Sequence, residues 1–199
     1  MTSSTRPRTA VGIRRPADRS RDLALVAVFA ALVSALALTP GIPVGGVGVP
    51  ITLQTLGIML CGAVLGPWRG AVAAALYLLV GFLGIPVFAN GNAGLGVLAG
   101  MSAGYLISYP AAAFVTGWLT RAGARRGRTV LGLVLGVVLG GVVLVHVAGT
   151  VGMAIAGNLP PATAVKFDLP FLPGDALKAV LAVLVAVPVH RAFPRLLRR

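Results

Sequence analysis

The chain has 199 residues, of which 57% are hydrophobic and 11% are charged, and its formal net charge is +13. Soluble domains carry about 25% charged residues, so this composition argues against a water-soluble globule, because too little polar surface remains to cover a core. It also argues against a disordered chain, which needs low hydrophobicity, and a single Cys excludes an internal disulfide.

Long stretches without charge predict membrane-spanning helices. No Asp, Glu, Lys or Arg occurs at residues 23–68, 70–120 or 129–165. A spanning helix needs about 20 mainly apolar residues. Gly and Pro punctuation divides these stretches into six predicted transmembrane helices of an all-α integral membrane protein: Leu23–Leu38, Thr52–Leu65, Gly70–Leu83, Gly100–Leu119, Val130–Ala156 and Gly174–Val189.

The positions of the Arg residues predict the orientation. Segments 1–22, 66–69, 120–128 and 190–199 hold all 15 Arg, whereas the alternate loops hold only Lys166 and Asp168 as charged residues. Lys and Arg are enriched on the cytoplasmic side, so both termini are predicted to be cytoplasmic. Residues 1–22 are then a basic, disordered tail that contacts anionic lipid, and residues 23–199 form the transmembrane domain. The alternative for residues 1–37 is a secretory signal with its cleavage site at Ala35-Leu-Ala37.

Three ionisable side chains fall within or at the edge of the predicted spans, where such groups are costly. Asp175 and Lys178 are three residues apart at the outer start of the last helix, so they share a helix face and can point into one cavity. Alternatively, Asp175 caps the helix and Lys178 extends its amine towards water, but a cap has no use for Lys178. His146 has no acidic residue at its predicted depth, so we expect a hydrogen-bonded structural His rather than a proton relay.

Uncharged polar groups lie in the segments on the same predicted side. Thr52, Gln54 and Thr55 begin the second helix, and Asn90 and Asn92 follow Phe88 in a Gly-rich loop. Asn-Gly pairs are also ordinary turn residues, and aromatic residues such as Phe88 and Tyr105 more often pack than bind. The candidate binding residues on this predicted side are Gln54, Phe88, Asn90, Asn92, Tyr105, Asp175 and Lys178.

Small residues repeat every fourth position on two predicted helices and allow close helix approach. Spacing alone does not tell whether the partner is internal or another protein. The ridges are Ala27, Ala31 and Ala35 on the first helix and Gly132, Gly136 and Gly140 on the fifth. The sequence has no phosphate-binding loop, no metal-ligand motif and no recognisable catalytic set, so we expect neither ATP binding, nor a metal, nor enzymatic activity.

Several spaced motifs resemble the BioY family, the biotin-specific substrate-binding (S) components of energy-coupling-factor (ECF) transporters. The resemblance covers about residues 23–190. One departure is Gly100-Met-Ser-Ala-Gly-Tyr105, where the family usually has Gly-Pro-Thr-Gly-Gly-Tyr. The motifs are Pro50-Ile-Thr-Leu-Gln-Thr55, Gly66-Pro67, the run from Tyr77 to Phe88, the Asn/Gly loop after it, and Pro170-Phe-Leu-Pro-Gly-Asp-Ala-Leu-Lys178.

The resemblance implies an S component in the cytoplasmic membrane of a prokaryote that captures biotin from outside with high affinity and needs no cofactor. It implies polar biotin contacts from Asn92 or its neighbour Asn90, from Asp175 and from Lys178. The implied partners are a transmembrane coupling protein, which docks on the Ala ridge of the first helix, and two ATPase subunits. The alternatives are an S component for another vitamin and a solitary or proton-coupled biotin transporter.

Overall fold

The computed structural model of the chain describes residues 16–43, 49–194 and 196, with side chains from Arg19 onward. Within these residues a π-helical segment, Val137–Leu144, joins two helices into one continuous helix over 129–156. Counting that helix once, the six predicted helices are all present, together with one additional short helix. The helices are α1 Pro16–Ala37, α2 Gln54–Leu65, α3 Pro67–Phe82, α4 Ala103–Arg125, α5 Thr129–Gly136, α6 Val145–Ala156, α7 Pro161–Asp168 and α8 Leu172–Ala192.

Several helix boundaries differ from the prediction. α1 begins at Pro16, so residues 16–22, which were expected to belong to a disordered tail, are helical, while residues 1–15 lie outside the described part of the chain. α4 extends to Arg125 and α8 to Ala192. Charged residues mark where an apolar span ends, but they do not end a helix, which explains the longer α4 and α8. The earlier start of α1 fits Pro16, since Pro is favoured in the first helical turn.

The predicted loops contain short ordered elements. Strands β1 (Ile42–Pro43) and β2 (Pro50–Ile51) pair antiparallel, and 3₁₀ turns form at Ala89–Gly91 and Leu95–Ala99. The Pro-rich segment 158–173, expected to be a loop, folds into α7 and a 3₁₀ turn. Its prolines stand at the starts of these elements, where a missing N–H is tolerated.

Helix α2 is the centre of the bundle. All of its residues except Leu56 are buried, and it packs against α1, α3, α4 and α8. At 12 residues it rises only about 18 Å, less than the roughly 30 Å of a hydrocarbon core. Apart from Gln54 and Thr55 in its first turn, its sequence is apolar, and this reflects burial among the other helices. Among the described helices, those long and apolar enough to cross a membrane are Arg19–Ala37, Thr129–Ala156 and Pro161–Ala192.

The Gly ridge of the continuous 129–156 helix packs inside the protein, against α4. A Cβ at Gly136 would lie 2.4 Å from the carbonyl oxygen of Thr116, and one at Gly140 would lie 2.5 Å from its hydroxyl oxygen. Thr116 Oγ1 in turn donates a hydrogen bond to the Gly136 carbonyl at 3.1 Å. The partner of this ridge is therefore internal, and no side chain larger than hydrogen fits there.

The Arg-bearing helix ends meet at one end of the bundle. Arg69 on α3 lies 3.1 Å from Asp22 on α1 and donates to the Leu65 carbonyl at the end of α2, also at 3.1 Å. Arg121, near the end of α4, donates to the same carbonyl at 3.3 Å, and the Leu196 carbonyl accepts from Arg69 at 3.4 Å. Alternate connections are thus gathered at one end, as the Arg pattern predicts.

Candidate functional site

The first turns of α8 place Asp175 and Lys178 on one face, as their spacing predicts. Lys178 Nζ donates to Asp175 Oδ1 at 2.6 Å, and both residues are buried. α8 already begins at Leu172, and the Asp175 carboxylate bonds to other side chains. The alternatives of a capping Asp175 and a solvent-seeking Lys178 are therefore wrong.

Helix α2 contributes Thr55 to this pair. The Thr55 hydroxyl donates to Asp175 Oδ1 at 2.8 Å and accepts from Lys178 Nζ at 3.1 Å. The sequence places Thr55 among the polar residues at the start of this helix, but the predicted binding set contains its neighbour Gln54 instead. Adjacent residues point about 100° apart on a helix. The rest of α2 is apolar on all sides, so its pattern does not indicate which of the two polar residues meets the site.

His146, near the start of α6, lies between two carboxylates. Its Nε2 is 3.0 Å from Asp175 Oδ2, and its Nδ1 is 2.8 and 2.9 Å from the two oxygens of Asp168. The expectation that no acidic group reaches its depth is wrong, because α7 packs against α6 and buries Asp168. Tyr105 on α4 also donates to Asp168 Oδ1.

These contacts define one buried polar cluster at the end of α2 opposite to the Arg-bearing end. Each member is at most 9% exposed. The cluster contains Thr55, Tyr105, His146, Asp168, Asp175 and Lys178. Among the residues that the structure describes, no group of three or more His, Cys, Asp or Glu side chains is arranged to hold a metal ion.

Gln54 and Phe88 belong to a second buried group. Gln54 Nε2 donates to the Tyr77 hydroxyl, which donates to the Val87 carbonyl at 3.2 Å. The Phe88 ring packs edge-on to Tyr77 at 5.5 Å between centroids. This group attaches the segment after α3 to the start of α2 and to the second half of α3. No hydrogen bond of the described side chains joins Gln54 to Asp175 or Lys178.

Asn90 and Asn92 are exposed on the segment between α3 and α4. Asn90 has a φ of 58°, a left-handed turn conformation that Asn tolerates. Asn92 Nδ2 donates to the Ala89 carbonyl at 2.9 Å. Asn92 also borders a cavity of about 330 Å³ that Val49 and Met101 help to line. Within the described residues, the structure does not bring either Asn into hydrogen-bond contact with Asp175 or Lys178.

The Ala ridge of α1 faces away from the bundle. Ala27, Ala31 and Ala35 are exposed, whereas Val26 and Val33 face the core and are buried. In contrast to the Gly ridge, this surface is left open by the described part of the chain.

The Asp175–Lys178 pair retains unused hydrogen-bonding capacity. A carboxylate offers about four acceptor sites, and an ammonium offers three donors. Asp175 accepts from Thr55, His146 and Lys178, and Lys178 donates to Thr55 and Asp175. One acceptor site, on Asp175 Oδ2, and one N–H of Lys178 therefore remain within the pair, in a buried setting where charge-assisted hydrogen bonds are strong.

Comparison with known proteins gives consistent matches over nearly the whole chain. Residues 6–195 match the BioY family. The chain is 43% identical to the biotin transporter BioY of Rhodobacter capsulatus, over 87% of this chain and 95% of that protein. It is 39% identical to the biotin transporter BioY of Rhizobium etli, over 89% of this chain and 97% of that protein. A crystal structure of the S-component for biotin from an ECF-type ABC transporter matches with a TM-score of 0.84 and 31% identity, over 90% of this chain and 95% of that chain.

Proposed function

The chain belongs to the BioY family, and we propose that it is a membrane transport component, not an enzyme, that binds biotin as the S component of an ECF-type transporter. The observation that carries this proposal is the buried Asp175–Lys178 ion pair, which offers one acceptor and one donor at the end of the bundle opposite to the Arg residues. Ionisable groups at membrane depth are costly and are retained for function.

Biotin matches the chemistry of this pair. Its ureido ring presents N–H donors beside a carbonyl acceptor, and its valerate chain ends in a carboxylate. The free acceptor site of Asp175 suits a ureido N–H. The remaining N–H of Lys178 suits the ureido carbonyl or the valerate carboxylate, while its bond to Asp175 at 2.6 Å keeps that carboxyl ionised. Asn92 and Tyr105, with the nearby Gln54–Phe88 group, are proposed to complete the pocket.

Substitutions in the pair test this proposal. We expect Asp175→Asn and Lys178→Ala each to weaken biotin binding at least about tenfold, since a hydrogen bond to a charged group contributes about 1.5–3 kcal/mol. Equilibrium binding of labelled biotin to the purified variants is the measurement. Lys166→Ala removes an exposed Lys on α7 and serves as the control with unchanged affinity. Wild-type affinity in both site variants would contradict the proposal.

The Arg-bearing end is proposed to face the cytoplasm, because positively charged segments are retained there. Both termini then lie on the cytoplasmic side, and the buried polar cluster faces the outside, where biotin is captured. The protein is proposed to lie in the cytoplasmic membrane. Two ATPase subunits are proposed to supply the energy for transport through a transmembrane coupling protein.

The exposed Ala ridge of α1 is proposed as the docking surface for the coupling protein, because small residues allow helices to approach closely in lipid. We expect Ala31→Trp to abolish co-purification with the coupling protein and ATPases while biotin affinity stays unchanged. Leu79→Trp, at an exposed position on α3, is the matched control and should retain the complex. Retention of the complex by Ala31→Trp would show that docking uses another surface.

A further inference from the structure

The buried His146 has a carboxylate at each ring nitrogen. Nδ1 faces both oxygens of Asp168 at 2.8 and 2.9 Å, and Nε2 faces Asp175 Oδ2 at 3.0 Å. The two carboxylates also accept from Tyr105, which donates to Asp168, and from Lys178, which donates to Asp175. Thr55 completes the groups around Asp175.

Counting donors constrains the protonation of this arrangement. A neutral imidazole has one N–H donor and one acceptor nitrogen, whereas ionised carboxylates only accept. A neutral His146 between two carboxylates would therefore set one nitrogen lone pair against an oxygen lone pair at hydrogen-bond distance. The nearly equal distances from Nδ1 to both Asp168 oxygens suit an N–H that points between them.

Counting charges leads to the same arrangement. Asp168 and Asp175 carry two negative charges and Lys178 carries one positive charge, which leaves one buried negative charge without a partner. An uncompensated buried charge is strongly destabilising. One further proton makes the cluster neutral. On His146 it gives each nitrogen a donor for the carboxylate that it faces, and this fits the nearly equal distances from Nδ1 to both Asp168 oxygens better than a proton on one of those oxygens.

We infer that His146 is a doubly protonated positioning residue of the biotin site, held by Asp168 and Tyr105 and holding Asp175 through its second N–H. The inference deepens the proposed function and rests on it for the ligand. His146 occupies Asp175 Oδ2 from the α6 side while Thr55 and Lys178 occupy Oδ1, so the carboxylate cannot rotate. Its remaining acceptor site is thereby kept in a fixed direction for the ligand.

Nitrogen NMR of the wild-type protein tests the protonation directly. The chain has two His residues, so ¹⁵N-histidine labelling gives two sets of ring signals. His190→Gln assigns them, since His190 lies on α8 with its Nε2 2.8 Å from the Ala63 carbonyl, away from the cluster. We expect one-bond N–H couplings at both ring nitrogens of His146 at pH 7. One protonated and one bare nitrogen would overturn the inference.

Charge compensation tests the positioning role. His146→Gln keeps one amide donor but leaves an unbalanced carboxylate, and we expect biotin affinity to fall about 10- to 100-fold. Adding Asp168→Asn removes that surplus charge, and we expect the double variant to regain at least about tenfold. Wild-type affinity in His146→Gln, or a double variant no better than the single one, would overturn the inference.

The two experiments separate the inference from the proposed function. The NMR measurement uses unmodified protein without biotin, so it remains decisive if His146→Gln does not fold. An imidazolium at His146 in a protein that binds no biotin would refute the proposed ligand and with it the positioning role. A neutral His146 in a protein that binds biotin would refute the inference alone.

Discussion

Thr55 on the central helix α2 hydrogen-bonds to both side chains of the ion pair, so removal of its hydroxyl should lower the stability of the folded protein. Val has nearly the same shape but neither donates nor accepts. Thr55→Val removes the 2.8 Å bond to Asp175 and the 3.1 Å bond from Lys178. Each hydrogen bond to a charged group contributes about 1.5–3 kcal/mol, so we expect the free energy of unfolding to fall by about 3–6 kcal/mol.

Thermal unfolding in detergent, followed by circular dichroism, measures this loss. For a chain of this size, 1 kcal/mol corresponds to about 2–4 °C in Tm, so we expect Tm to decrease by at least about 6 °C. Thr163→Val, at a half-buried position on α7, is the control and should stay close to wild type. A Thr55→Val protein that melts within about 2 °C of wild type would refute the assignment of Thr55 to the cluster.

Two further substitutions test packing and the pocket. Gly140→Ala places a Cβ 2.5 Å from Thr116 Oγ1, whereas nothing lies within 4 Å of a Cβ at Gly96. We therefore expect Gly140→Ala, but not the control Gly96→Ala, to lower the yield of monodisperse protein in size-exclusion chromatography. Equal yields would contradict the tight packing on α4. Asn92→Ala should weaken biotin binding about tenfold without changing Tm, and the control Lys166→Ala, at an exposed position, should change neither. Unchanged affinity in Asn92→Ala would remove Asn92 from the pocket.

Local sequence patterns predict the number of helices and the alternation of their ends. The apolar stretches are bounded by Gly, Pro and Arg, and these signals need no knowledge of packing. Local sequence also predicts the Asp175–Lys178 pair, since an i, i+3 spacing on a helix fixes their common face. The structure places Lys178 Nζ 2.6 Å from Asp175 Oδ1. The BioY resemblance is confirmed by the family match.

The rest of the cluster depends on tertiary contacts that no local pattern carries. Asp168 was expected in a loop, and it reaches His146 only because the Pro-rich segment forms α7 and folds against α6. His146 follows a π-helical segment, and such a segment changes the direction of the side chains after it. Thr55 rather than Gln54 faces the ion pair because of how α2 is rotated within the bundle.

Binding of labelled biotin to the purified wild-type protein is the measurement on which the proposed function depends. We expect saturable binding that approaches one biotin per chain, with displacement by unlabelled biotin and none by thiamine or riboflavin. Absence of saturable biotin binding, or equal displacement by another vitamin, would contradict the assignment of the Asp175–Lys178 site to biotin.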